Sequence, residues 1–139
     1  MIVSLHVATG AAAGALAGSR VAALALGPVV HLAGDLTPHH DIPSTRFELA
    51  SGVGSVLFLA ARRGPFDPAT IGGVAAAVED LEHVLPLPRP GGRKLFPSHR
   101  KDGWHRRGGL PAWVQLVAAG VIIGVLLRRR PEKENEWPR

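Results

Sequence analysis

Cysteine and tyrosine are absent from this chain of 139 residues, and only 5% of its residues are aromatic. Without cysteine there is no disulfide scaffold, no iron–sulfur cluster, no thiolate nucleophile and no zinc-finger site. The hydrophobic share is nevertheless 46%, so the apolar mass comes mainly from small and aliphatic residues. Long apolar runs are incompatible with intrinsic disorder, and the length allows little more than one domain.

Charged residues make up 19% of the chain, below the quarter or so that is typical of soluble domains. They are concentrated between apolar blocks rather than spread along amphipathic segments. The formal net charge is +5, which by itself fits either nucleic acid or anionic lipid as a partner. The apolar blocks favour a membrane lipid, and no nucleic-acid partner is expected.

Five apolar blocks each approach the length of about 17–25 residues with which a helix spans a bilayer. None has the one-sided polarity of a helix on a soluble bundle. We therefore predict an all-α integral membrane bundle of about five helices over residues 1–130, with a polar tail over 131–139. The expected spans cover residues 2–18, 21–36, 46–62, 68–85 and 110–128, and a basic, histidine-containing loop covers 86–109.

Several residues mark where these helices begin and how closely they pack. Thr45 with Glu48 fits a capping box at the third block, and Asp67-Pro68 fits an N-cap followed by a proline in the first turn. Glycines recur in the first, third and fourth blocks, for example Gly10 and Gly72, and such small residues let helices approach closely. Lys and Arg divide evenly between the two faces, so only the arginines at span ends favour a cytoplasmic C-terminus.

Histidines and carboxylates recur at helical spacing inside or beside the apolar blocks. His31 and Asp35 lie four residues apart, as do Glu79 and His83, so each pair shares one helical face. Spans that alternate in direction bring these groups to the same end of the bundle. Ionisable residues are costly within a span and usually functional, and imidazole with carboxylate is a ligand set for Zn²⁺, Mn²⁺ or Fe²⁺. The cluster predicts a metal site suited to hydrolysis.

Structural explanations compete with the metal site at the early positions. His6 alone fits an interfacial residue near a helix start. His31 with Asp35 also fits a hydrogen-bonded pair that pins two helices together. The turn over residues 39–41 lies between prolines and is compatible with plain solvation.

Similar alternatives exist later in the chain. Glu82 fits a solvated charge at a helix end better than a ligand. His99 and His105 lie in the basic loop, where contact with anionic lipid headgroups is an alternative to metal ligation.

The segment from His31 to Pro43, which reads HLAGDLTPHHDIP, resembles a known membrane-protein motif. It is similar to the HxxxD-x-x-PHxD segment of small membrane-bound metal-dependent hydrolases of bacteria and archaea, related to the LexA-binding inner-membrane hydrolases. Leu5-His6 ahead of a small-residue helix resembles the start of those proteins, and the histidine- and arginine-containing loop before the last block resembles a later segment. Where they carry a Pro-Asp pair, this chain has Glu79-Asp80.

The resemblance implies a prokaryotic inner-membrane location and metal-dependent hydrolysis at the membrane interface, and analogy with other lipid hydrolases suggests a lipid phosphate ester as substrate. Glu79 is the predicted general base. The predicted ligands of a divalent metal, Zn²⁺ before Mn²⁺ or Fe²⁺, are His6, His31, Asp35, His39, Asp41, Asp80 and His105. Supporting roles around those ligands are predicted for His40, His83 and His99. The residues expected to attract a phosphate-bearing headgroup are Arg93, Lys94, Arg100, Lys101 and Arg106.

Three other functions remain open at the level of sequence. The same cluster fits a non-catalytic protein that binds or transports a metal ion, and the basic loop fits a protein that recruits anionic lipid or a partner. Two histidines also suffice to ligate haem iron axially, although the nearby carboxylates argue against haem.

Overall fold

The computed structural model describes residues 1–83, 85, 87–96, 99, 104, 106 and 108–128. Most of these residues lie in helices. Within these residues there is no β-strand, only an isolated bridge between His39 and Leu110. The α-helices are α1 (Val3–Ala17), α2 (Arg20–Leu36), α3 (Thr45–Arg63), α4 (Pro68–Ala77) and α5 (Ala112–Arg128). Two 3₁₀ helices are also present, η1 (Val78–His83) and η2 (Pro90–Gly92).

Side-chain caps open the second, third and fourth helices. Ser19 accepts a hydrogen bond from the backbone of α2, and Asp67 accepts one from the Ala69 N–H at 2.8 Å, directly before Pro68. At α3 the capping residue is Ser44, so the predicted capping box at Thr45 is wrong by one residue. Glu48 instead accepts a hydrogen bond from the Ile42 N–H at 3.1 Å.

The sequence predicted one continuous α-helix over the fourth block, and this prediction is wrong. α4 ends at Ala77 after 10 residues, and the chain tightens into the 3₁₀ helix η1. With three residues per turn, residues three apart share a face, so Glu79 and Glu82 both point inward and are buried. The predicted pairing of Glu79 with His83 on one face of an α-helix is therefore wrong.

The predicted integral membrane bundle is also wrong. Among the described residues, no helix combines the length and the apolar character needed to cross a bilayer. α1 has 15 residues and α2 and α5 have 17 each, which gives about 23–26 Å at 1.5 Å per residue, short of a hydrocarbon core of about 30 Å. α3 has 19 residues but includes charged residues at both ends. The expected inner-membrane location and cytoplasmic C-terminus depended on the predicted spans, so they are wrong as well.

α1 is the central helix, and it packs against α2, α3, α4 and α5. Its closest neighbour is α4, because glycines face each other where the two helices cross. A Cβ atom added at Gly10 would lie 2.3 Å from the carbonyl oxygen of Gly72, and one added at Gly72 would lie 2.3 Å from that of Gly10. The two backbones are therefore in direct contact, which fixes the position of α1 relative to α4.

Gly10→Ala is expected to destabilise the protein because the new methyl group would overlap the α4 backbone. The expected loss in the free energy of unfolding is about 1–3 kcal/mol, measured by urea denaturation. Gly54→Ala is the matched control, since a Cβ atom there meets nothing within 4 Å. That control should gain about 0.5–1 kcal/mol from its higher helix propensity. Equal stability of the two variants would contradict the close contact between α1 and α4.

Candidate metal centre

A carboxylate and two imidazoles meet in the core where α1 crosses α2. His6 projects from α1, and His31 and Asp35 project from α2 one turn apart; all three are at most 1% exposed. His6 Nε2 lies 3.2 Å from Asp35 Oδ1, and His31 Nε2 lies 3.3 Å from Asp35 Oδ2. Two ligand atoms on one tetrahedral zinc ion lie about 3.3 Å apart, so these spacings fit a metal ion. His6, His31 and Asp35 form a group that could hold one.

A backbone carbonyl fixes the hydrogen position on His31. Its Nδ1 lies 2.7 Å from the carbonyl oxygen of Ala76, which can only accept, so Nδ1 carries the hydrogen and donates. In the neutral ring, Nε2 therefore offers its lone pair toward Asp35. This is the arrangement in which a metal-ligating histidine is held by the backbone through its other nitrogen.

A second group overlaps the first through His31. His31, Asp80 of η1 and His99 place ligand atoms within 4.8 Å of one another. His99 Nε2 also lies 4.0 Å from Asp35 Oδ2, and His99 Nδ1 lies 3.3 Å from Glu82 Oε2. The carboxylate of Glu82 thus holds the hydrogen on Nδ1 of His99, and the Nε2 of His99 lies between Asp35 and His83.

Glu82 was predicted to be solvated, yet its side chain has no exposed surface. Its carboxylate accepts hydrogen bonds from the backbone N–H groups of Leu95 and Phe96 as well as from His99. Burial raises the pKa of Glu82, but these three hydrogen bonds outweigh it, and the pKa lies below its ordinary value. No local sequence signal marks this role, because the partners lie 13 to 17 residues away in a loop.

The pKa values of several groups in the cluster are strongly shifted. Burial lowers the pKa of His6 to about 3 and raises the pKa of Asp80 to about 7. Burial also lowers the pKa of His99, against the opposing effect of Glu82. For His31 burial acts downward too, but Asp35 and other nearby carboxylates outweigh it and raise the pKa.

Buried polar atoms without hydrogen bonds also point to a cation. Within the described residues, His31 Nε2 and Asp80 Oδ2 have no hydrogen-bond partner, and the same holds for His6 Nδ1 and Ser4 Oγ. Each such atom costs about 1–3 kcal/mol. A cation bound between the imidazoles and the carboxylates would satisfy the first two. The donor set of nitrogen and oxygen without sulfur suits a divalent transition metal.

His39 joins the same network from the turn after α2. It is 1% exposed, and its Nδ1 lies 2.6 Å from the carbonyl oxygen of Thr37. Its Nε2 contacts the α-ammonium group of Met1 and lies 3.2 Å from Asp41 Oδ1. The same ammonium nitrogen lies 2.8 Å from Asp35 Oδ1. Asp41 is thus linked to the cluster through His39, and its side chain is 46% exposed.

Gln115 of α5 joins three segments of the chain near His39, and the sequence analysis did not identify it. Its side chain is fully buried; Oε1 accepts from the Ile2 N–H at 3.0 Å, and Nε2 donates to the carbonyl oxygens of His40 at 2.8 Å and Leu110 at 3.1 Å. The start of α1, the turn after α2 and the start of α5 are thereby joined. A polar residue inside an apolar block was the available signal.

The remaining predicted residues lie at the rim or outside the cluster. Glu79 is 5% exposed, with Oε2 3.9 Å from His31 Nε2. His83 is exposed, with Nε2 3.2 Å from His99 Nε2 and Nδ1 3.4 Å from Lys94 Nζ. The side chain of His40 is exposed, and only its backbone takes part in the network.

The other predicted residues of the basic loop are less well connected to the cluster. Arg93 and Arg106 have exposed side chains, although the Arg106 backbone pairs with Asp35 and His39. Three predicted residues and the polar tail lie outside the described residues: His105, Arg100, Lys101 and residues 131–139.

Comparison of the chain with protein-family models, curated proteins and solved structures gave no match. The resemblance of the His31-to-Pro43 segment to the membrane-bound hydrolases therefore stays a prediction. Support for a function comes from the geometry of the cluster.

Gln115→Leu should destabilise the fold while keeping side-chain volume nearly constant. The change leaves the Ile2 N–H and the carbonyl groups of His40 and Leu110 without their partner, at about 1–3 kcal/mol for each group that stays buried. We expect the free energy of unfolding to fall by at least about 2 kcal/mol in urea denaturation. Val117→Leu on the exposed face of α5 is the control, with an expected change within about 0.5 kcal/mol. A Gln115 variant as stable as this control would contradict the bridging role.

Proposed function

We propose that this chain is a metal-dependent hydrolase of phosphate esters whose metal centre is built on Asp35. The observation that carries the proposal is the convergence of imidazole nitrogens from His6, His31 and His99 within 4.0 Å of one buried carboxylate. A hydrogen-bonded pair that only pinned two helices would not need a third imidazole aimed at the same carboxylate.

Zn²⁺ is the proposed ion, with Mn²⁺ and Fe²⁺ as alternatives, because imidazole and carboxylate ligands without sulfur suit all three. An ion bound with one open position would lower the pKa of a coordinated water toward about 7 and so supply a nucleophile at neutral pH.

Glu79 is the proposed general base. It is buried, with Oε2 3.9 Å from His31 Nε2, and a carboxylate in that position can accept the proton of the attacking water. The water oxygen would add to phosphorus, its proton would pass to Glu79, and the phosphorus–oxygen bond to the alcohol would break. The departing alkoxide would then take up the proton held by Glu79, which restores the carboxylate.

Phosphate is the proposed reacting group because positive charge lies next to the cluster. Lys94 and His83 follow His99 in a row that leads from the buried centre to the surface. An ammonium group and an imidazole at that position would bind the anionic oxygens of a phosphate ester. Arg93 lies on the same loop and adds to the local positive charge.

An apolar cavity of about 190 Å³, open to solvent on one side, lies between α3 and α4 and borders the same centre. Aliphatic residues such as Val53, Leu57 and Val74 line it, and Asp80 is the one ionisable side chain in its described lining. Asp80 also belongs to the group with His31 and His99, so the cavity and the cluster are neighbours. We propose that the cavity receives an aliphatic part of the ester. An engineered apolar cavity of about 150 Å³ binds benzene, so this one has room for a chain of about six carbons.

Metal content and hydrolysis test the centre directly. Purified protein should contain a transition metal by elemental analysis and should hydrolyse an aryl phosphate ester such as p-nitrophenyl phosphate. His31→Ala should lose the metal, whereas His40→Ala, the matched histidine control with an exposed side chain, should keep metal and activity. Glu79→Gln should keep the metal but lower kcat by about 10²–10⁴-fold.

Two results would count against the proposal. Full metal content in His31→Ala would show that the cluster is not the binding site. Bound metal with no hydrolysis of any phosphate ester would favour the non-catalytic metal-binding alternative.

The cavity predicts how affinity depends on chain length. In calorimetric titrations of metal-loaded protein with n-alkyl phosphonates, which have no ester bond to hydrolyse, affinity should rise roughly fourfold per methylene and level off near six carbons. Val53→Phe should fill the cavity and remove this gain, while Val121→Phe on the exposed face of α5 should leave it intact. Affinity that does not change with chain length would contradict this use of the cavity.

A further inference from the structure

A second hollow lies on the other side of α3, where this helix faces α5. Both helices pack against α1 and make little contact with each other, so a groove of about 600 Å³, open to solvent on one side, separates them. Arg63 donates a hydrogen bond to the carbonyl oxygen of Leu126 at 2.8 Å, which joins the two helices beyond one end of the groove. The volume of this α3–α5 groove lies within the range of about 300–1,000 Å³ that is usual for sites of organic ligands.

Glycines keep the α3–α5 groove open. Gly54 of α3 and both Gly120 and Gly124 of α5 line it, and a Cβ atom added at any of them would meet nothing within 4 Å. Gly10 and Gly72 differ, because there the backbone of a neighbouring helix takes the place of the missing side chain. Among the described residues, no other element fills the space beside the three glycines of the groove. That space is available to a ligand.

A buried hydroxyl group without a hydrogen bond lies at the floor of the groove. Ser4 of α1 lines the groove and is 3% exposed, and its Oγ has no hydrogen-bond partner within the described residues. A buried polar group in that state is destabilising, so a ligand that pairs with it gains a favourable interaction. Because a serine hydroxyl reorients by rotation about one bond, Ser4 can donate to a ligand oxygen in the groove.

Two further hydroxyl groups come from α3, at the level of Ser4. α1 and α3 meet there, since a Cβ atom added at Gly52 would lie 2.4 Å from Val3 Cγ1. Ser51 Oγ donates to the Glu48 carbonyl oxygen at 2.9 Å, and Ser55 Oγ donates to the Ser51 carbonyl oxygen at 2.7 Å. A hydroxyl group has one hydrogen and two acceptor lone pairs, so both oxygens can still accept from a ligand.

The rest of the described lining is uncharged and apolar, and it includes Phe58 and Ile123 toward the end near Arg63. A charged ligand would lose its hydration without meeting an opposite charge in this lining. A hydroxyl group suits the serines better, because its oxygen can accept from Ser4 while its hydrogen is donated to Ser51. The groove therefore has a polar end that matches a hydroxyl group and an apolar end that matches a hydrocarbon chain.

We infer that the α3–α5 groove binds an uncharged aliphatic alcohol. The hydroxyl group of the alcohol contacts Ser4 and the serines of α3, and its chain extends along the glycines toward Phe58. None of the described lining residues of the groove belongs to the groups around Asp35 that could hold a metal ion. The inference therefore goes beyond the proposed hydrolysis and does not depend on it.

Nuclear magnetic resonance of the full chain, titrated with 1-octanol, tests the site. The backbone N–H signals of Gly54, Gly120 and Gly124 should shift and reach saturation, because the alkyl chain passes over these glycines. Gly120→Leu should fill the groove and abolish the shifts at the other two glycines. Val53→Phe is the matched control, since it fills the cavity on the other side of α3 and should leave these shifts intact.

Ser4→Ala separates the contribution of the hydroxyl group from that of the apolar contacts. The variant should be at least as stable as the unmodified chain, because Ser4 Oγ has no hydrogen bond to lose. Octanol should nevertheless bind to it roughly three- to tenfold more weakly. Octanoate, which carries a charged head, should bind to the unmodified chain at least about tenfold more weakly than octanol.

Three results would overturn the inference. One is the absence of saturable shifts at the three glycines. Another is octanoate that binds as tightly as octanol, which would indicate a charged head beside Arg62, whose Cζ lies 5.1 Å from the centroid of the Phe58 ring. The last is self-association in analytical ultracentrifugation that Gly120→Leu removes, since a second copy of the chain would then occupy the groove. Metal binding at Asp35 is unaffected by any of these results.

Discussion

The Asp35 carboxylate is 1% exposed, and a charge at that depth costs several kcal/mol unless nearby groups compensate it. Compensation comes from His6 on α1, from His31 one turn away on α2 and from the ammonium group of Met1. The carbonyl of Ala76 holds His31, and the packing of α1 against α2 places His6. The arrangement of α1, α2 and the loops around them is thus tied to the need to satisfy one buried charge.

Small residues leave room for the groups that compensate the charge of Asp35. A Cβ atom at Gly34 would lie 2.9 Å from His6 Cε1, so the glycine leaves the space that the imidazole ring occupies. Gly27 plays a similar part further along α2, where a Cβ atom would lie 2.4 Å from that of Ala75. Close packing of α2 against α4 in turn brings the Ala76 carbonyl within hydrogen-bond reach of His31. The small side chains of these helices therefore allow both the close helix packing and the contacts of the polar centre.

The surroundings of the centre divide into three chemical environments. Basic and imidazole groups lie on the side of Lys94 and His83, aliphatic side chains lie beyond Asp80, and hydrogen-bonded backbone lies around His39. A substrate with an anionic head and an apolar chain would meet complementary groups on two of these sides. On the third side, Gln115 forms hydrogen bonds with the Ile2 N–H and with the carbonyl groups of His40 and Leu110.

Local sequence determined much of the helix pattern and part of the candidate centre. Asp67-Pro68 marked the start of α4, and the four-residue spacing of His31 and Asp35 placed both on one face, because capping and helical periodicity depend only on nearby residues. Hydropathy misled the assignment of spans, since the apolar blocks extend past the ends of the helices and include the 3₁₀ segment at Val78–His83. Tertiary structure alone decided that Glu82 turns inward to hold His99, that Gln115 joins three segments and that the two Asp35 oxygens face different histidines. Apart from His31 with Asp35 and Gln115 with Leu110, these contacts join residues 17 to 113 positions apart. No local spacing encodes which distant groups the packing of helices brings together.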